Sequence, residues 1–275
     1  MSSADEAAGL FGPDSISWRI DREFVVLAGG SCALLMQAAH PAVAAGVVEH
    51  STYATDPLGR LLRTLESSFD VVFGSRSTAE GAIRRVNAIH RSVRGRMPGG
   101  TTPYSARDPE ALLWVHATLV DTALRVFGRF VAPLSAADEQ AYHRESGRVA
   151  VMLGVPETLL PPTIGSLRAW MADRIADDTV HVTPQARQIA ATVLYPIAHV
   201  PRVAWDAAHL ISLSTLPPSL RGQYGIAWSA TRERGVERIA RVTRRTLPFL
   251  PSVLRYAPPA RAADRRLRQS VRSAR

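Results

Sequence analysis

The chain has 275 residues, 46% of them hydrophobic, and a mean hydropathy of −0.01, which fits a soluble globular protein with a sizeable core and excludes a disordered one. One cysteine, Cys32, excludes an intrachain disulfide and cysteine-cluster zinc or iron–sulfur sites, and its apolar surroundings predict a buried, inert thiol. None of the 33 basic residues is lysine, which removes Schiff-base catalysis and a phosphate-loop lysine; thirteen arginines follow Thr231 against three acids, so the net charge of +9 is a basic tail on a near-neutral body.

The N-terminal segment, residues 1–16, is acidic and small with no positive stretch ahead of an apolar one, so it reads as a flexible lead and not as a signal peptide. Ser17 to about His40 predicts one or two helices, ended by Pro41. The 25 uncharged residues between Glu23 and Glu49 are long enough to span a bilayer, but Gly29-Gly30, Gln37 and His40-Pro41 interrupt them and favour buried core helices. Asp56-Pro57 opens a helix, and Ser77-Thr-Ala-Glu80 has capping-box spacing for another that Gly95 ends. Residues 96–103 read as a loop. Asp108-Pro109-Glu110 starts a long helix to Phe130, and Ser135-Ala-Ala-Asp138 starts the next. Further helices are predicted around 164–175, from Pro184 to Tyr195, and over 203–213 and 223–247. No run alternates as a strand should. The expectation is an all-α protein: a single helical domain over 17–231 with an Arg-rich tail over 232–275.

Two helices carry the candidate chemistry. In GRLLRTLESSFDVVFG, Leu58, Leu61, Leu62, Leu65, Phe69, Val72 and Phe73 recur at helical spacing and predict one buried stripe. Arg60 and Thr64 share another face, with Arg63 beside them; that face meets either solvent or a ligand. In the following helix His90 occupies the apolar stripe of Ala79, Ile83, Val86 and Val93. His116 lies four residues from both Leu112 and Val120, and His40 ends the longest apolar helix, whereas His143 and His181 sit among charges and read as solvated. A single inward histidine is ordinarily a core residue satisfied by a hydrogen bond. Three within 80 residues also suit a metal or cofactor, although HExxH, GxGxxG, GxSxG and phosphate-loop motifs are absent. Inward imidazoles beside an Arg/Thr face are what a haem pocket requires.

HPAVAAGVVEHSTYATDPLGRLLRT, then FG, VNAIHRSVRG and YSARDPEALLWVHATLVD, together resemble the catalytic-domain family shared by latex-clearing rubber oxygenases and the fungal oxygenase that cleaves a farnesyl chain in mycophenolic acid biosynthesis. The resemblance covers roughly Ser17 to Gly225. It implies an all-α, partly globin-like fold, haem b as cofactor, and dioxygen-dependent cleavage of olefinic carbon–carbon bonds. It also implies His90 as the iron ligand, Arg60 and Thr64 on the distal side, and His40 and His116 either as further cofactor-pocket residues or as structural partners. Where the rubber oxygenases have a lysine that can cap the iron, this chain has Arg63, whose guanidinium keeps its proton. The proposed base of that family has Glu49 as its nearest counterpart here. Val43, Val47, Leu61 and Leu119 are candidate wall residues.

The resulting expectation is a cytoplasmic haem-b oxygenase or oxidase that uses dioxygen on a hydrophobic small molecule, isoprenoid or olefinic. The competing reading is a non-catalytic helical protein that holds haem or lipid and docks through its tail. Residues 232–275 read first as a solvated tail that partly packs on the body; their basic helix with apolar LPFLP also suits peripheral contact with the inner face of an anionic membrane, better than nucleic acid, since only Phe249 and Tyr256 could stack on bases.

Overall fold

Proline and short polar caps punctuate the chain into helices. The computed structural model describes residues 3–196 and 199–273; Met1 and Ser2 of the expected N-terminal lead, and Arg275 of the tail, lie outside them. Helix α1 (Ser3–Ala8) is followed by α2 (Ile16–Asp21), capped by the Ser15 hydroxyl. A 3-10 segment, Phe24–Gly29, runs into α3 (Gly30–Ala38), and the chain turns by 104° into α4 (Pro41–His50). The expected interruption at His40-Pro41 is therefore a sharp corner, because proline excludes its predecessor from helical geometry.

Asp56 caps α5 (Pro57–Phe73) and Ser75 caps α6 (Arg76–Ser92), so α6 begins at the turn after Gly74 and not at Ser77. A two-stranded antiparallel hairpin follows, β1 (Arg94–Arg96) with β2 (Pro103–Ser105), and brackets the stretch expected to be a loop. The central helix α7 (Pro109–Phe130) starts at the Asp108 cap, and α8 (Ala136–Met152) at the full capping box of Ser135 and Asp138. Then come α9 (Ile164–Ala176), α10 (Pro184–Leu194), α11 (Arg202–Ala208), α12 (Leu210–Thr215), α13 (Pro218–Gln223), α14 (Ala230–Thr246), α15 (Ser252–Arg255) and α16 (Pro258–Ser273). The protein is all-α apart from the six strand residues among those described.

Helix α7 is long and apolar enough to cross a bilayer, yet most of it is enclosed by protein. Helices α3, α8, α9, α12 and α14 and the 3-10 segment pack round it, burying Leu113, Trp114, Ala117, Val120, Leu124 and Phe127. The Trp114 indole donates to the Met36 carbonyl at 2.8 Å, so the one polar atom of this buried ring is satisfied.

Residues after 231 are built into the body. Thr231 falls in the first turn of α14, whose Val236 and Ala240 are buried against Val126 and Phe130 of α7. Helix α16 buries Ala260 and Ala263 with Trp18 and Phe73, the two rings meeting edge-on at 5.1 Å. Arg255 forks onto the buried Glu23 carboxylate, its Nη2 at 2.6 Å from Oε1. Removing Phe73 to alanine would cost about 3–5 kcal/mol through this seam.

Candidate functional site

Helices α5 and α6 form an antiparallel hairpin, and Arg60 and His90 both lie at its open end, on either side of the Gly74 turn. The turn end is fastened by Trp18, by α16, and by Arg266, which donates to the Phe73 carbonyl at 2.6 Å. At the open end, Val93 sits against Gly46 of α4, where a Cβ would come within 3.2 Å of its Cγ1; glycine lets the backbone of α4 approach this closely. The Tyr104 hydroxyl of β2 donates to the Glu49 carboxylate and ties the same corner together.

Between these fastenings the expected buried stripe is not covered. Phe69, Val72 and Phe73 pack against Trp18 and α16, but Leu58, Leu61 and Leu62 in the first two turns are exposed, Leu62 by 65%. The periodicity marks a face correctly, and no neighbouring element is laid over its first half. Ile89, beside His90, is 61% exposed; Leu119, in the middle of the otherwise buried α7, is 51% exposed, and Val151 and Met152 end α8 in the same state. Large apolar side chains left open on α5, α6, α7 and α8, the core helix among them, are candidate contacts for an apolar ligand.

The histidines sort by their partners. Nδ1 of His90 is enclosed with no hydrogen-bond partner, and burial lowers the ring's pKa, which keeps it neutral. His116, one turn before Leu119, has its Nε2 enclosed without a partner, and burial, with His143 as a lesser cause, pushes its pKa down to about 4. His40, at the α3–α4 corner, has an unpartnered Nδ1; burial lowers its pKa against the pull of Asp108, and it borders a cavity with Tyr104, Arg107 and Asp108. His143 is not solvated. It is 4% exposed, and its Nε2 lies 2.7 Å from the Pro161 carbonyl, which can only accept, so the proton resides on Nε2. His181 is partly exposed, with Nδ1 2.7 Å from the Asp178 carbonyl.

Arg60 is partly buried, its guanidinium makes no hydrogen bond or ion pair among the described residues, and burial, then the Arg63 charge, lowers its pKa. Thr64 is exposed and donates its hydroxyl to the Arg60 carbonyl at 2.9 Å. Arg63 is engaged elsewhere: it donates to Asp56 and to the Thr52 hydroxyl, each at 3.0 Å, bracing the start of α5. Glu49 carries its hydrogen bond from Tyr104, whose pKa burial and then that carboxylate push up to about 12. Val43 and Val47 of α4 are half-buried. Asn87, which periodicity alone did not single out, donates to the Met152 carbonyl at 2.9 Å and spans α6 and α8. Among the described residues no cluster of three or more His, Cys, Asp or Glu could hold a bare metal ion.

Residues 18–245 match the family described as ER-bound oxygenase mpaB/B′/Rubber oxygenase, catalytic domain. The chain belongs to this family. Membership makes it an oxygenase-type catalytic domain, and hence an oxidoreductase. The matched stretch runs from α2 into α14, contains all six candidate site residues, and passes through Thr231 without a break. The chain is also similar to the uncharacterized protein Rv2237 of Mycobacterium tuberculosis and the uncharacterized protein Mb2261 of Mycobacterium bovis. Each is 26% identical over 233 residues, covering 79% of this chain and 87% of the relative. No solved structure matches significantly.

Proposed function

We propose that this oxygenase-family domain uses haem b and dioxygen to oxidise a hydrophobic small molecule, isoprenoid or olefinic. The observation that carries the reading is the His90 imidazole: neutral, with an enclosed Nδ1 that has no partner among the described residues, at the open end of the α5–α6 hairpin, where Leu58, Leu61, Leu62 and Ile89 are exposed. A single neutral imidazole among apolar side chains could hold haem iron, whereas a bare metal would need a ligand cluster. When bound, the haem supplies the redox chemistry with dioxygen.

The chain's own residues do the rest. Leu58, Leu61, Leu62 and Ile89, with Leu119 of α7, would supply apolar contacts to the bound group and help exclude water. No anion among the described residues neutralises the Arg60 guanidinium, so its N–H groups would be available to negative charge developing on oxygen. Thr64 keeps its hydroxyl on the same face, one turn along. His116, two turns into α7, and His40, at the start of α4, are neutral, and each can accept or donate one hydrogen bond without adding charge. Arg63, clamped on Asp56 and Thr52, positions α5.

The test is haem reconstitution of the purified protein, followed by oxygen-uptake measurements with a detergent-dispersed linear isoprenoid olefin. A stoichiometric Soret band with olefin-dependent oxygen uptake supports the proposal. Absence of a Soret band at saturating haem overturns it, and a Soret band without uptake on any olefin assigns the fold to haem carriage.

A further inference from the structure

A second apolar surface lies at the end of the chain. Between α14 and α16, Pro248, Phe249, Leu250, Pro251, Val253 and Leu254 are all exposed, Phe249 by 87%. Helix α14 buries its apolar side against α7 and presents Arg238, Arg241, Arg244 and Arg245 to solvent. None of these four has an acidic partner among the described residues, because both acids of α14, Glu233 and Glu237, are taken up by Arg129. The apolar tip and the unpaired arginines are thus consecutive in sequence and lie at one end of α14.

The tip is held in place. Arg255 forks onto buried Glu23, the Arg22 guanidinium lies 3.6 Å from the centre of the Tyr256 ring, and the Ala257 amide donates to the Arg22 carbonyl at 2.9 Å. Helix α15 packs against the 3-10 segment that begins with Phe24, itself exposed. Within the tip, Pro248 and Pro251 carry no N–H, while the Leu250 and Leu254 amides donate to Leu247 and Pro251 carbonyls. Few backbone donors are therefore left to desolvate if the tip leaves water.

We infer that this surface docks peripherally on an anionic lipid bilayer. Phe249, Val253 and Leu254 enter the headgroup–acyl boundary, and Arg241, Arg244 and Arg245 lie on lipid phosphates. Neither component explains the other away. Unpaired arginines alone would suit any polyanion, but a protruding, proline-bounded apolar tip needs a partner that yields around it, as fluid lipid does. A nucleic acid would engage the arginines and leave Val253 and Leu254 in water. The inference does not depend on haem.

Flotation of the full-length protein with phosphatidylcholine vesicles, with and without phosphatidylglycerol, tests it. The expected result is recovery on the anionic vesicles at low salt and loss on pure phosphatidylcholine. The Phe249→Ser/Val253→Ser/Leu254→Ser variant and the Arg241→Gln/Arg244→Gln/Arg245→Gln variant should each lower partitioning about tenfold or more. All six side chains are exposed or half-exposed, and thermal melts check that the fold is kept. Should a triple variant melt early, Phe249→Trp with brominated lipid decides, through quenching of that tryptophan. Equal recovery of wild type and apolar variant, or no quenching, overturns the inference. So does retention of a duplex oligonucleotide by both proteins without recovery on vesicles, which would give the surface to nucleic acid.

Discussion

The side-chain amide of Asn87 donates to the main-chain carbonyl of Met152 across 2.9 Å. Asn87 lies one turn before His90 on α6, and Met152 is the last residue of α8, so the contact ties the helix carrying the proposed ligand to the body. Asn87→Ala removes it without touching His90. The expected cost is about 1 kcal/mol, or roughly fivefold faster haem loss, with the bound spectrum unchanged. Haem transfer to apomyoglobin measures this, and an unchanged rate would show that α6 is held by other contacts.

Arg60 and Arg63 are three residues apart and predict opposite phenotypes. Arg60→Ala and Thr64→Val should keep haem and lose most turnover, since a lost hydrogen bond to developing charge costs about 1–3 kcal/mol. Arg63→Ala breaks an exposed brace to Asp56 and Thr52 and should cost no more than about 1 kcal/mol of stability, with turnover near wild type. Steady-state oxygen uptake separates them; equal losses in Arg60→Ala and Arg63→Ala would contradict the assignment.

Features with a local cause were legible in the sequence. Asp56-Pro57, Asp108-Pro109 and the Ser135/Asp138 box start helices because each supplies a side-chain acceptor to an N–H three residues on, and all three are observed. Features set by a remote partner were not. His143 is flanked in sequence by Arg144, but a loop 18 residues later brings the Pro161 carbonyl over its ring. The α5 pattern identifies an apolar face, and nothing in a periodicity says whether protein covers it. Val236 and Ala240 are legible as apolar positions between the arginines of α14, but their partners, Val126 and Phe130 of α7, are not. Strands β1 and β2, three residues each, are too short to show alternation.

Away from the site, Asp21 should shape the pH dependence of stability. Its carboxyl accepts the Tyr142 hydroxyl at 2.8 Å, and burial, with Glu145 adding, pushes its pKa up to about 7. An unfolded aspartate titrates near 3.9, so as pH rises from about 4 to 7 the unfolded chain loses its proton first and the fold is progressively disfavoured. His116 acts in the opposite sense, disfavouring the fold as pH falls from about 6.5 towards 4. Asp21→Asn keeps an acceptor for Tyr142 and should melt higher than wild type at pH 8, by about 2–4 °C for each kcal/mol recovered, with the gap closing near pH 4. A gap of the same size at both pH values would mean that the fold does not raise the pKa of Asp21.

The central claim is that His90 is the protein's haem ligand, and the Soret absorbance of His90→Ala against wild type, each titrated with haem, tests it most directly. Wild type, His143→Ala and His181→Ala are expected to saturate at one haem per chain, with His143→Ala melting earlier because it loses a buried, hydrogen-bonded ring. His90→Ala should show no stoichiometric band, and added imidazole should restore part of it. Full haem occupancy in His90→Ala without imidazole would contradict the claim and move the ligand to His116 or His40, the other enclosed imidazoles with an unpartnered nitrogen that the sequence reading pointed inward.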